Sequence, residues 1–100
     1  MINDKALGTI GIATKARKVV SGEFMTENAV KSGTAELVII AEDASDNTKK
    51  KFMNMCEFYG VPLIVKWNKD DMGRAMGKTF RASLAVTDSG FAQAIMKKMD

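Results

Sequence analysis

Glu36-Leu37-Val38-Ile39-Ile40-Ala41 decides the fold. Its run of five apolar residues from Leu37, three of them β-branched, marks a strand buried on both faces. Such a strand needs helices above and below, and the flanking sequence supplies them. Upstream, Gly33 stands where a C′ glycine ends a helix over about 23–32. Before that, Val19-Val20 reads as a short strand stopped by Ser21-Gly22 and preceded by Lys15-Ala16-Arg17-Lys18. Asn3 or Asp4 caps a first helix, with Leu7, Ile10 and Ala13 or Thr14 at helical spacing. Gly8 and Gly11 weaken that helix by up to about 1 kcal/mol each relative to Ala. Close packing of a neighbouring backbone is the expected compensation.

Downstream, Ser45 or Asp46 caps a third helix with Phe52, Met55, Cys56 and Tyr59 on one apolar stripe. Gly60 ends it and Pro62 prevents its resumption. Pro62 to Trp67 is a further long apolar segment. Asn68 caps a short fourth helix with Asp70 and Asp71 in its positive first turn, and Gly77 closes it. Ala82 to Thr87 is another strand, and Asp88 caps a last helix whose stripe is Phe91, Ile95 and Met99. Five helices alternating with about four strands predict an α/β protein, a three-layer α/β/α sandwich on a mixed sheet with right-handed crossovers.

The 100 residues suit a single domain over 1–100, and 46% hydrophobic with 27% charged residues argues against disorder. One cysteine excludes a disulfide framework and any multi-cysteine metal site, which suits a reducing compartment. The absence of histidine removes the commonest general base and metal ligand together. Serines and threonines therefore lack the usual activating partner. Cys56 falls on an apolar helical stripe, as a small buried hydrophobe would. Glu42-Asp43 and Asp70-Asp71 are chain neighbours, and neighbours do not face one another across a substrate.

Gly73-Arg74-Ala75-Met76-Gly77-Lys78-Thr79 imitates a phosphate-binding P-loop, but it is one residue short of G-x-x-x-x-G-K-[ST]. Its context is also inverted, since Gly77 ends a helix and a strand follows. No enzymatic activity, metal, cofactor or small-molecule substrate is expected. The longest purely apolar run, Leu37 to Ala41, falls far short of the ~18–20 residues of a membrane span. Met1 to Lys5 shows no secretory signal pattern, so no membrane association and a cytoplasmic location are expected.

The basic residues are more informative. Net charge is +3, from 15 Lys+Arg against 12 Asp+Glu, a bias compatible with a nucleic-acid partner. Lys49, Lys50 and Lys51 are expected in the first turn of the third helix, where positive charge opposes the macrodipole by a few tenths of a kcal/mol. Lys78 and Arg81 flank Thr79 and Phe80 in the loop entering the last strand. An exposed phenylalanine between two cations suits stacking on a base with phosphate contacts beside it, whereas a core role would turn Phe80 inward. Ser21-Gly22-Glu23-Phe24-Met25 opens a helix whose first N–H groups lack intrahelical partners and can meet an RNA backbone. One of Phe24 and Met25 is open to being that helix's inner anchor.

Several segments in this order resemble the kink-turn-binding ribosomal-protein superfamily, which includes the archaeal large-subunit protein seven-Ae and the eukaryotic-type protein thirty-e. They are Gly11 to Gly22, Gly33 with Ala35 to Ser45, Asn47 to Phe52, Val61-Pro62, Met72 to Lys78, and Ala85 to Ala92. Within that superfamily the chain is similar to the bacterial YlxQ-like branch, over nearly its whole length. The resemblance implies the same sandwich fold and a grip on kink-turns, RNAs bent sharply at tandem sheared G·A pairs. It implies structured RNA, ribosomal or regulatory, as partner, with ribosomal or translation-factor proteins as further partners.

Carried over, the start of the second helix, Gly22, Glu23, Phe24, Met25 and Asn28, would sit in the widened groove with Asp43 nearby. The loop Lys78, Thr79, Phe80 and Arg81 would cover the bulged nucleotides, and Lys15, Lys18, Lys31 and Arg81 would meet phosphates. RNA binders of the superfamily typically follow that glycine with Asn-Glu or Lys-Gln and place a Lys further along the helix. Here Phe24, Met25 and Asn28 stand at those positions. A missing bidentate contact typically costs about 1–3 kcal/mol, roughly ten- to hundredfold in affinity. A protein-interaction module of the same fold, using the Phe24–Met25 surface, is the alternative.

Overall fold

The computed structural model describes residues 4–99. The chain runs α1 (Lys5–Lys15), β1 (Val19–Ser21), α2 (Glu23–Lys31), β2 (Leu37–Ile40), α3 (Asp46–Tyr59), β3 (Leu63–Val65), α4 (Lys69–Ala75), β4 (Ser83–Val86) and α5 (Ser89–Lys97). The strands form one mixed sheet in the order β1-β4-β2-β3. β4 is antiparallel to both neighbours, while β2 and β3 run parallel. As the unbroken apolar run predicts, Leu37 to Ile40 are wholly buried at the centre. Helices α1, α4 and α5 pack together in one layer, and α2 lies against α3 in another.

The helix ends follow the expected chemistry. The Asp4 carboxylate accepts from the N–H groups of Ala6 and Leu7, and its second oxygen accepts from Trp67 Nε1 at 2.9 Å. Partial burial pushes the Asp4 carboxyl up, but the Trp67, Leu7 and Ala6 N–H groups outweigh it and hold it below its usual 3.8. Asn3, the other candidate cap, lies outside the described residues. Ser45, Asn68 and Asp88 cap α3, α4 and α5.

Four expectations need correction. Gly11 does meet a neighbouring backbone, because a Cβ there would stand 2.9 Å from the Ala75 carbonyl oxygen, but Gly8 is exposed with nothing near it. Tyr59, the last residue of α3, is exposed instead of completing the stripe and meets the exposed Phe58 ring edge-on. The segment 62–67 is strand only over Leu63–Val65, an edge strand and half-open. Trp67 leaves it with a left-handed φ of 62°, held by its bond to Asp4. Lys50 and Lys51 fall beyond the first turn of α3, which Lys49 closes with its N–H donating to the Ser45 carbonyl. Of the alternatives left open for Phe24 and Met25, exposure holds for both, and Thr26, Ala29 and Val30 anchor α2 instead.

Candidate nucleic-acid interface

Strand pairing gathers the loops that carry the candidate residues. Ser21 at the end of β1 lies opposite Leu84, Ile40 at the end of β2 lies opposite Ser83, and Ile40 is also level with Val65 of β3. The exits of three strands and the entrance to β4 therefore share one end of the sheet.

At that end α2 begins without a side-chain cap. Its N-cap is Gly22 at φ 90°, a conformation an L side chain rarely adopts. The first N–H groups of α2 consequently stay open to an outside acceptor. Phe24 is 73% exposed and Met25 47% exposed on this first turn, and Asn28 is exposed one turn on.

The loop before β4 is bound to this helix start. Arg81 Nε donates to Ser21 Oγ at 3.1 Å, and Gly22 N–H donates to the Ser83 carbonyl at 3.0 Å. Lys69 is the node on the other side. Its N–H donates to Asp43 Oδ1 at 2.9 Å, and its carbonyl accepts from the Arg81 N–H at 3.1 Å. Its ammonium sits 5.8 Å from the centroid of Phe80, which is 58% exposed. The core role for Phe80 is thereby excluded. Lys78 and Thr79 are exposed beside it.

Gly73 of α4 is what lets this loop fold back. A Cβ there would lie 2.7 Å from Phe80 Cα and closer still to the Thr79 carbonyl. The glycines of the P-loop-like stretch thus serve packing: Gly73 admits the loop and Gly77, at φ 71°, turns the chain out of α4.

Sequence reading missed an ionic cluster on the flank of α2. Lys51 Nζ reaches from α3 to Glu23 at 3.2 Å and Glu27 at 2.7 Å, and Lys31 also holds Glu27 at 2.7 Å. Lys31 and Lys51 pull the Glu27 carboxyl down to about 2, and the two glutamates raise Lys51 above its usual value. Two carboxylates that would repel phosphate are thereby matched by two ammonium groups. The contact between Lys51 and Glu23 spans 28 positions, so helical spacing gives no sign of it.

Not every expected phosphate contact comes to this end. Lys15 shares a hollow with Arg74 and Gly77 at the root of the loop. Lys18 opens β1 at its opposite end, where its carbonyl accepts from Thr87. Lys31 closes α2, about 12 Å along the helix from Glu23. Cys56 is buried, and burial pushes its thiol up to about 11, so it offers no nucleophile at neutral pH. Among the described residues no acidic or cysteine cluster suits a metal, and no helix is long and apolar enough to cross a membrane.

The sequence profile of the ribosomal protein L7Ae/L30e/S12e/Gadd45 family matches residues 4–96. RNA-binding protein YlxQ of Bacillus subtilis is 42% identical over 91 residues, covering 91% of each chain. Large ribosomal subunit protein eL8 of Cenarchaeum symbiosum is 31% identical over 94 residues, 93% of this chain and 75% of that one. A solved structure of a protein of unknown function from Bacillus halodurans superposes with a TM-score of 0.94 at 37% identity, covering 98% of this chain and 99% of the other.

Proposed function

The chain belongs to the ribosomal protein L7Ae/L30e/S12e/Gadd45 family, and from that premise we propose that it is a non-catalytic, cytoplasmic RNA-binding protein of the ribosome or translation apparatus. Its ligand on this reading is kink-turn or similarly bent RNA. The observation that carries the reading is the convergence at one sheet end of an uncapped helix start and an aromatic, cationic loop, joined through Arg81 and Ser21. The relatives named for RNA binding and for the large ribosomal subunit support it.

Each part has a task in this scheme. Phe80 stacks on an unpaired base while Lys78, Arg81 and Lys69 meet phosphates. The open N–H groups of α2 donate to an oxygen of the RNA backbone. Phe24 and Met25 press against the opened groove, and Asn28 keeps one polar contact there. Lys51 and Lys31 neutralise Glu23 and Glu27 so that the strand can approach.

The test is titration with a kink-turn RNA and with the same RNA whose G·A pairs are made Watson–Crick, at two salt concentrations. Tight binding to the kinked RNA alone supports the reading. Equal, salt-sensitive binding to both reduces the protein to a general RNA binder. The exposed Phe24–Met25 pair favours one second reading, an apolar contact to a ribosomal or translation-factor protein. That contact would leave both RNAs unbound and be nearly indifferent to salt.

A further inference from the structure

β1 is an edge strand, and its free side is a groove. Thr87 N–H donates to the Lys18 carbonyl and Gly22 N–H to the Ser83 carbonyl. Antiparallel alternation therefore aims the backbone of Lys18, Val20 and Gly22 at β4, and that of Val19 and Ser21 at the open side. Two hollows flank this edge. One, of about 400 Å³, has Arg17 and Lys78 on its wall. The other, of about 580 Å³, runs along α2 to Lys31. Val20 and Met25 line both, so the two hollows adjoin and together follow the edge as a track.

Its chemistry is that of a polyanion with apolar faces. Two cations without a carboxylate partner among the described residues, Arg17 and Lys78, line the track, together with Lys31, which Glu27 holds at 2.7 Å; no carboxylate lines either hollow. The floor is mostly apolar. A duplex would present only phosphates to such a floor, whereas unpaired bases can cover it with their ring faces. Met25 and Lys78 also belong to the two-loop interface, so the track begins where that site ends. A three-residue strand gives about 10 Å of edge, room for a short unpaired segment and not for a long one.

We propose that the open edge of β1 is a second RNA site, which receives a short unpaired strand continuing from the bent RNA held by the two loops. The proposal rests on the RNA reading above. Arg17 and Lys78 hold its phosphates where it leaves the loops, and the outward N–H groups of Val19 and Ser21 meet its backbone oxygens.

The test uses the full chain and a bent RNA made with blunt ends or with three unpaired nucleotides on either end. The wild-type protein is expected to bind one of the extended RNAs about tenfold more tightly than the blunt one, with a steeper salt dependence. Arg17→Glu is expected to abolish that advantage while leaving the affinity for blunt RNA unchanged. Thr34→Glu, in the other half of the track, provides a second variant, and thermal melting verifies that each is folded. Equal wild-type affinity for blunt and extended RNAs would overturn the track alone. Equal weakening of both RNAs by folded Arg17→Glu would overturn it too, because Arg17 would then belong to the loop site. Failure of every RNA to bind would instead refute the RNA reading from which it starts.

Discussion

Replacing Gly73 by alanine is expected to damage binding more than stability. The new methyl group would stand 2.7 Å from Phe80 Cα, about 0.7 Å inside ordinary contact, and would press harder on the Thr79 carbonyl. Both obstacles are backbone, so the loop must move as a unit. Overpacking of this kind costs about 1–3 kcal/mol. Alanine recovers about 1 kcal/mol of helix propensity inside α4. The net loss is therefore at most about 2 kcal/mol, or some 8–16 °C in melting temperature for a domain of this size.

The loop carries Phe80 and Arg81, and a shift of most of an ångström would stretch the 3.1 Å bond from Arg81 to Ser21 beyond hydrogen-bonding distance. Loss of that link and of one stacked base is expected to weaken RNA binding about ten- to hundredfold. Gly8→Ala is the control. Its site on α1 is open, so stability should rise by up to about 1 kcal/mol with binding untouched. Melting curves and RNA titrations on both variants decide the matter. Wild-type affinity in folded Gly73→Ala would refute the claim that this glycine sets the loop.

Phe24→Ala should leave the melting temperature nearly unaltered, because the ring is 73% exposed, while reducing ligand binding; a large drop in melting temperature would return Phe24 to the core. Arg81→Ala should weaken RNA binding and flatten its salt dependence by about one phosphate contact, and an unchanged slope would remove Arg81 from the interface. Thr26→Val should raise stability by about 1 kcal/mol or more, since Thr26 Oγ1 is buried without a hydrogen-bond partner among the described residues; a lower melting temperature would count against this. Glu27 titrates near 2 when folded and near 4.5 when unfolded. Its ion pairs should therefore stabilise the fold above about pH 4.5 and cease to do so as pH falls through 2. Comparison of wild type with Glu27→Gln across pH 2–7 should show the gap closing toward acid.

The architecture was legible because each element carries its own local signal. The buried run at Leu37 to Ile40, the caps at Asp4, Ser45, Asn68 and Asp88, and the terminating glycines all act within a few residues. Half of the candidate interface was legible for the same reason: Phe80 between two cations and the uncapped start at Gly22 are local oddities. What escaped depends on contacts between distant segments. Arg81 meets Ser21 across 60 positions and Trp67 meets Asp4 across 63. The closeness of Gly73 to Thr79 and Phe80 arises only once the chain turns at Gly77. The lysine run at 49–51 misled in another way. Its place on the helix suggested a cost against the dipole, whereas Lys51 is answered by carboxylates on α2.

On the RNA reading, that ionic cluster bears on how such an interface can work with apolar side chains at Phe24 and Met25. Phe24 and Met25 cannot hydrogen-bond guanine edges, and the neighbouring carboxylate of Glu23 is drawn aside by Lys51 at 3.2 Å. The first turn of α2 is then left with main-chain N–H groups, which recognise phosphate, and with apolar surface, which recognises shape and ring faces. Sequence discrimination through side-chain hydrogen bonds on this helix face falls, on the RNA reading, to Asn28. On the RNA reading, affinity comes mainly from the Lys78–Arg81 loop and from backbone contacts, and selectivity from the bend that lets RNA reach both surfaces together. Exchanging one G·A pair for another non-Watson–Crick pair that preserves the bend should therefore cost this protein less than straightening the helix does.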